Sequence, residues 1–339
     1  MYVGISPVRI SFAGGGTDMP EYYLKHKGIV ITSAINHFTY VTIHKRNDKM
    51  IQIFSPDFQT HTHPINLEKL QAEKGTELPI AIIKYLKYNK GLNLTLSSDV
   101  PPQSGLGSSS SLAVNLVNVI SNLKNKKKTK TELAETSHYI EKNILHWPMG
   151  IQDEYIASFG GFKKIEFEAG KKKVTTVKIN QKTSKELQEN LLLFFIGSRQ
   201  NTKILPTQLN NIRNNEEKTL ESLELAKELA HTMYEQLKNS DLTGFGKLLN
   251  DGWFAKKQFS KNVTNEKIDR IYEKAIKSGA LGGKLTGAGG GGHLLLYCEK
   301  SKQSKVLNEM TKLKIKQVKF NFETEGAKVL NLYNYANSK

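Results

Sequence analysis

Residues 101–112 read Pro-Pro-Gln-Ser-Gly-Leu-Gly-Ser-Ser-Ser-Ser-Leu, and this run holds the clearest chemistry in the chain. Gly105 and Gly107 permit backbone angles closed to other residues and let main-chain N–H groups come close to a ligand. A helix expected to start near Ser108 adds unpaired N–H donors and the positive end of its dipole. The result is an anion nest suited to a triphosphate, formed by Pro102, Ser104, Gly105, Leu106, Gly107, Ser108, Ser109, Ser110 and Ser111. Serine hydroxyls at such a helix start can bond phosphate oxygens or ligate Mg²⁺. A capping serine after a glycine turn would explain a lone Gly-x-Gly, but four consecutive serines favour a phosphate site. No lysine follows the last glycine, so this is not a P-loop, and the spacing G-x-G-x-x-G of a dinucleotide site is absent here.

The elements needed to hold this loop can be read around it. Residues 4–12 alternate as a strand running into Gly14-Gly15-Gly16, and residues 28–54 continue as strands with a hairpin turn expected at Asn47-Asp48. Pro79 is expected to open a helix, Leu92–Ser98 alternates as a strand, and 99–107 is a Pro/Gly loop. Helices follow over 108–123 and about 129–145, then short strands near 161–168 and 174–179 and a polar stretch to about 190. Leu191–Ile196 is a continuous apolar run of the kind that marks a buried central strand. The domain boundary is expected just before it, dividing the chain into 1–185 and 186–339. Helical segments over 206–239, 241–258 and 265–278 lead to a loop at 282–292. Strands His293–Cys298, Ile315–Phe320 and Val329–Tyr333 complete the chain, with a helix near 301–312 between the first two. Helices and strands mix without a strict βαβ rhythm, which predicts an α+β fold of two domains.

Bulk properties remove several alternatives. The 339 residues suit two packed domains. The net charge of +17 raises nucleic-acid binding, yet the lysines gather at Lys124–Lys130 and Lys171–Lys173 without interleaved aromatics. The reading is therefore no nucleic-acid partner and a general attraction for phosphorylated small molecules. No apolar run reaches 18 residues, and the N-terminus lacks the pattern of a signal peptide, so no membrane partner is expected. A single cysteine, Cys298, fits the reducing cytoplasm. The nine histidines show no metal-ligand spacing.

Three segments in order resemble the GHMP kinases, the superfamily of galactokinase, homoserine kinase and mevalonate kinase. They are Ser6-Pro-Val-Arg-Ile-Ser-Phe-Ala-Gly-Gly-Gly-Thr-Asp18, the serine-rich loop, and Lys284-Leu-Thr-Gly-Ala-Gly-Gly-Gly-Gly292. The resemblance implies a two-domain fold with the active site in the cleft between domains, and transfer of the terminal phosphoryl group of ATP. Ala13-Gly-Gly-Gly-Thr-Asp18, Gly150-Ile-Gln-Asp-Glu-Tyr155 and Gly282-Gly-Lys-Leu-Thr-Gly-Ala-Gly289 are most similar to D-glycero-D-manno-heptose 7-phosphate kinases, which supply nucleotide-activated heptose for bacterial surface polysaccharides. Fucokinase-type enzymes share the first of these segments. A kinase for an unphosphorylated sugar and a binding regulator without catalysis are therefore the competing readings.

Residue by residue, the resemblance implies Asp153 as catalytic base and Arg9 as the basic group beside it, drawing the acceptor hydroxyl closer. It implies Glu141 as the Mg²⁺ carboxylate, with Ser108 or Ser109 supplying a hydroxyl ligand, because Glu141 lies twelve residues before Asp153 as in galactokinases. Gly14, Gly15, Gly16, Thr17 and Asp18 stand where galactokinases bind sugar, but Gly15-Gly16 replaces their Glu-His pair. That departure implies a wider, less acidic pocket for a larger or phosphorylated sugar. Arg199 and Lys203 offer an anchor for the sugar's own phosphate. Gly287–Gly292 let the C-terminal domain's backbone close over the cleft near nucleotide and sugar, with Gly289 and Gly290 as substrate contacts. Monomer and homodimer are both compatible with the sequence.

Overall fold

A computed structural model describes residues 1–73, 75–199 and 201–332. In chain order the elements are β1 (Tyr2–Ala13), α1 (Pro20–His26), β2 (Gly28–Lys45), β3 (Met50–Ser55), β4 (Thr60–His61), β5 (Ile65–Asn66), α2 (Glu77–Tyr85), β6 (Leu92–Ser98) and α3 (Ser108–Leu123). Next come α4 (Lys130–Tyr139), a π-helical turn (Ile140–Ile144), α5 (Gln152–Phe159), β7 (Phe162–Glu168), β8 (Lys171–Thr176), α6 (Gln181–Asn190) and β9 (Leu191–Phe195). The rest comprises α7 (Ile204–Arg213), α8 (Glu217–Lys238), α9 (Leu242–Lys257), α10 (Glu266–Lys277), β10 (Gly282–Leu285), β11 (His293–Tyr297), α11 (Gln303–Lys312), β12 (Lys316–Val318) and β13 (Lys328–Asn331).

Two sheets organise these elements into the expected α+β fold. The first is a nine-stranded sheet with a spine ordered β13-β1-β2-β6-β3-β4. The long β2 pairs with β1 along one edge and with β7 and then β6 along the other. The second sheet, β10-β11-β9-β12, is antiparallel throughout. Strand β9 is central, as its apolar run predicted. Leu191 and Leu193 pack into a core shared with Val8, Ile10 and Phe12 of β1, whereas Leu192 and Phe194 pack with Ile268 and Ile271 of α10. Neither face is left wet, so no polar alternation could survive in its sequence.

Several expectations are corrected. Asn47-Asp48 does turn the chain, but β2 and β3 do not pair, because β6 lies between them and runs parallel to β3. The turn is held instead by the Gly91 N–H on the Asp48 carbonyl. The polar stretch before residue 190 is the helix α6, capped by the Asn180 side chain on the Thr183 N–H. The long helix expected over 206–239 breaks into α7 and α8, and the loop expected at 282–292 begins as β10. The last strand is Lys328–Asn331, and Tyr333 lies outside the described residues. This strand pairs with β1, so the chain end rejoins the first sheet rather than the second domain. Among the described residues no helix is long and apolar enough to cross a membrane.

Candidate active site

The serine-rich loop enters α3 as its composition requires. Gly107 occupies the cap position with φ of 75°, a conformation that a side chain resists. The first helical bond runs from the Ser111 N–H to the Gly107 carbonyl, which leaves the N–H groups of Ser108, Ser109 and Ser110 at the open end of the helix. A Cβ on Gly107 would sit 2.9 Å from Asp153 Oδ2, so the closed approach of loop and aspartate depends on glycine.

Arg9, buried on β1, ties these parts together. Its Nε donates to Asp153 Oδ1 at 2.6 Å and its Nη2 to Oδ2 at 2.7 Å, a bidentate pair. Its Nη1 donates to the Gly105 carbonyl at 2.6 Å, and its backbone N–H to the Leu106 carbonyl at 2.9 Å. One arginine therefore fixes both the phosphate loop and the carboxylate at the start of α5. Asp153 keeps about a fifth of its side chain exposed, so a ligand in the cleft can reach it.

Glu141 sits in the π-helical turn, where the Leu145 N–H reaches back to the Ile140 carbonyl and widens the helix. Oε1 accepts from Ser109 Oγ at 3.4 Å and Ser110 Oγ at 3.3 Å, and the buried Oε2 has no partner. Burial first, and then the negative charge of Glu154, push the Glu141 carboxyl well above its ordinary range. A hard carboxylate oxygen with hydroxyls beside it and one oxygen unused fits Mg²⁺. Among the described residues no group of three or more His, Cys, Asp or Glu gathers to hold a metal, so phosphate oxygens and water would complete the shell. Glu154 is fully buried against His138 Nδ1 at 2.7 Å. Burial raises the glutamate and lowers the histidine to about 4, and their hydrogen bond ties α4 to α5.

Other expected site residues have different places. The Thr17 hydroxyl is buried between the Gly14 and Ile29 carbonyls, so it holds the loop and does not face the cleft. Asp18 is also buried. It accepts from the Gly16 N–H, and from both the backbone and side chain of Gln152, positioning the start of α5 from below. The Ser111 hydroxyl turns inward to the Ser6 carbonyl and Thr39. Ser104 and Leu106 are buried and contribute through their backbones. Pro102 stands half-buried at the loop's entrance. Lys203 is exposed just ahead of α7, and the Arg199 backbone donates to the Gln103 carbonyl.

The C-terminal glycines divide between their own domain and the serine-rich loop. Gly289 and Gly290 pack on Val263 and Ile204 within their own domain. It is Gly287 and Gly292 that touch the phosphate loop, since a Cβ there would lie 2.6 Å from Gly105 Cα and 2.4 Å from the Ser104 carbonyl oxygen. His293 Nδ1 seals the same contact on the Ser104 carbonyl at 2.8 Å. Sequence reading also missed Ser11 and Gln152, which flank Gly15 and carry buried side-chain oxygens without partners. Ser11 stands in the segment Ser6–Asp18 and Gln152 beside Asp153, but nothing in either segment singles them out. The lysines Lys256 and Lys284 were missed as well, although Lys284 stands inside the third glycine-rich segment.

Comparisons with known proteins identify the family and the fold. The model of the GHMP kinases N terminal domain matches residues 77–161, and that of the GHMP kinases C terminal domain matches residues 233–316. A D-glycero-alpha-D-manno-heptose 7-phosphate kinase from Campylobacter jejuni is 31% identical over 95% of this chain and 97% of its own. An L-fucokinase/L-fucose-1-P guanylyltransferase from Bacteroides fragilis is 27% identical over 87% of this chain, which spans 34% of that larger protein. The fold matches the crystal structure of a D-glycero-D-manno-heptose 1-phosphate kinase from Bacteroides thetaiotaomicron with a TM-score of 0.81, at 24% identity over 98% of this chain and all of that one.

Proposed function

As the chain belongs to the GHMP kinases, we propose that this sugar kinase phosphorylates the anomeric hydroxyl of D-glycero-D-manno-heptose 7-phosphate with ATP, giving the 1,7-bisphosphate for nucleotide-activated heptose and surface polysaccharide synthesis. The observation that carries the reading is the Arg9–Asp153 pair lying directly under the Gly107 turn. It sets a proton acceptor against the place where a terminal phosphate would rest. The relative that acts on heptose 7-phosphate matches over nearly the whole chain, which favours that sugar.

The chemistry follows from these side chains. The free N–H groups of Ser108–Ser110 and the helix dipole receive the nucleotide's phosphates. Asp153 takes the proton of the attacking hydroxyl, and Arg9 holds its two oxygens in one orientation and confines them to the cleft. Ser11 Oγ and the Gln152 amide, beside Gly15, orient sugar hydroxyls. Glu141 with Ser109 would hold Mg²⁺, which neutralises charge on the transferring phosphate. Because phosphoryl transfer has a loose transition state, fixed positions and charges supply most of the rate. The buried lone Cys298 fits a reducing cytoplasm, the proposed location.

Nucleotide turnover across hexoses, heptoses and their phosphates with Mg²⁺ tests this reading. The highest kcat/KM is expected for heptose 7-phosphate, with ³¹P NMR showing a new anomeric phosphate. Preference for an unphosphorylated sugar such as fucose would overturn it.

A further inference from the structure

Each of the three glycine-rich segments has a backbone carbonyl held by a buried cation. Arg9 Nη1 donates to the Gly105 carbonyl of the serine-rich loop. Lys284 Nζ donates at 3.0 Å to the carbonyl of Phe12, just ahead of Ala13-Gly14-Gly15-Gly16. Lys256 Nζ donates to the carbonyls of Leu285, at 3.0 Å, and Gly287. Arg9 also has Asp153 to pair with, but the charges felt at Lys256 are all positive, from Lys284, Arg9 and Arg199. Burial and like charge push both lysines down, Lys284 to about 7.

Buried cations without a counter-charge are costly, so the groups they hold must account for them. With Ala13, Gly14, Gly15 and Phe259 the two lysines line a cavity of about 10 Å³, room for about one water. No substrate group can enter there, and their donors serve the backbone. Strand β1 shifts register against β2 between Ser11 and Ala13, which leaves Phe12 out of the ladder and its carbonyl free for Lys284. That bulge leads directly into Gly14, at φ of 77°, and then Gly15 beside Ser11 and Gln152. On the other side of the cleft, Gly287 has φ of 68°, and a Cβ there would lie 2.6 Å from Gly105 Cα. Glycine permits these turns but has no side chain to brace them. The lysine donors supply the brace.

We propose that Lys256 and Lys284 are positioning residues for phosphoryl transfer, acting through backbone carbonyls and touching no ligand. Lys284 holds the bulge that sets the turn on the sugar side. Lys256 holds the Gly287 turn against Gly105, so the phosphate loop is fixed from one side by Arg9 and from the other by Gly287. The inference rests on the chain being a sugar kinase and not on which sugar it takes.

The test uses Lys256→Met and Lys284→Met, which keep the stems and remove the donors, with the sugar of highest turnover in the panel above. Lys256→Met should raise KM for ATP roughly tenfold, the lower end of the worth of a hydrogen bond to a charged group, and leave the sugar KM within about twofold. Lys284→Met should do the reverse. A merely structural role would lower the active fraction and leave both KM values in place. That result would overturn the proposal, as would equal shifts of both KM values in both variants. Gly287→Ala crowds Gly105 while leaving Lys256 intact, and so tests the same contact even where a lysine variant does not fold. It should raise the ATP KM as Lys256→Met does, and an unchanged value would sink the role of Lys256. Calorimetric titration with a non-hydrolysable ATP analogue and Mg²⁺ reads nucleotide affinity without any sugar. Lys256→Met should bind roughly tenfold more weakly than wild type, and equal affinity would count against the brace. Should no sugar of the panel be turned over, the function reading fails, while this titration still judges Lys256.

Discussion

Asp153 and Arg9 form the bidentate pair at the centre of the proposed reaction, and each has a distinct expected phenotype. Asp153→Asn keeps the shape but removes the proton acceptor, so kcat should fall about 10²- to 10⁴-fold with little change in KM, measured by ADP release. Arg9→Lys keeps the charge but cannot span both Asp153 oxygens and the Gly105 carbonyl. It should lose roughly tenfold or more in kcat, and wild-type turnover in that variant would refute the positioning role. At this scale much was legible. Asp153, Arg9 and the serines stand in recognisable segments, Glu141 is marked only by its spacing from Asp153, and the structure brings them together. Thr17, Asp18 and Ser111 stand in the same segments, yet their side chains turn into the protein interior. A motif records which residues stay together, not which way each side chain faces.

Loop geometry decides the next scale. Gly107 carries a positive φ and has Asp153 and Arg9 packed where a side chain would go. Gly107→Ala should therefore combine a backbone cost of about 1 kcal/mol with displacement of Asp153. The expected result is at least a tenfold loss of kcat/KM with a fall of a few degrees in the melting temperature, followed by steady-state kinetics and calorimetry. Unchanged kinetics would show that the close approach of loop and aspartate is unnecessary. The π-helical turn at 140–144 was read only as the end of a helix, because its period departs from 3.6 for a single turn. Helix α6 was overlooked for a related reason: its sequence is polar on nearly every face, and only Thr183, Leu187 and Asn190 are buried. Strands with a strict period of two, such as β6, were read to the residue.

The two domains do not separate cleanly. Val8, Ile10 and Phe12 of β1 share one core with Phe245, Leu249 and Leu295, and β13 returns from the chain end to pair with β1. Expressed alone, residues 1–185 should lack a cooperative unfolding transition by circular dichroism, because β1 loses a strand partner and half its apolar cover. A sharp transition like that of the whole chain would show that the shared core is dispensable. The buried strand β9 was visible from hydrophobic patterning, but the return of β13 to β1 was not. A short strand carries no label for its distant partner.

The amino-acid order alone determined the phosphate loop, the helix that follows it, the central β9 strand and the family, since each depends on neighbours in sequence. Tertiary structure alone decided that Gly287 and Gly292 meet the phosphate loop and that Asp18 supports α5 from within. It also decided that Lys256 and Lys284 are buried beside one cavity, each donating to backbone carbonyls. Contacts between residues separated by tens or hundreds of positions depend on how sheets and helices pack, and local composition does not encode that distance.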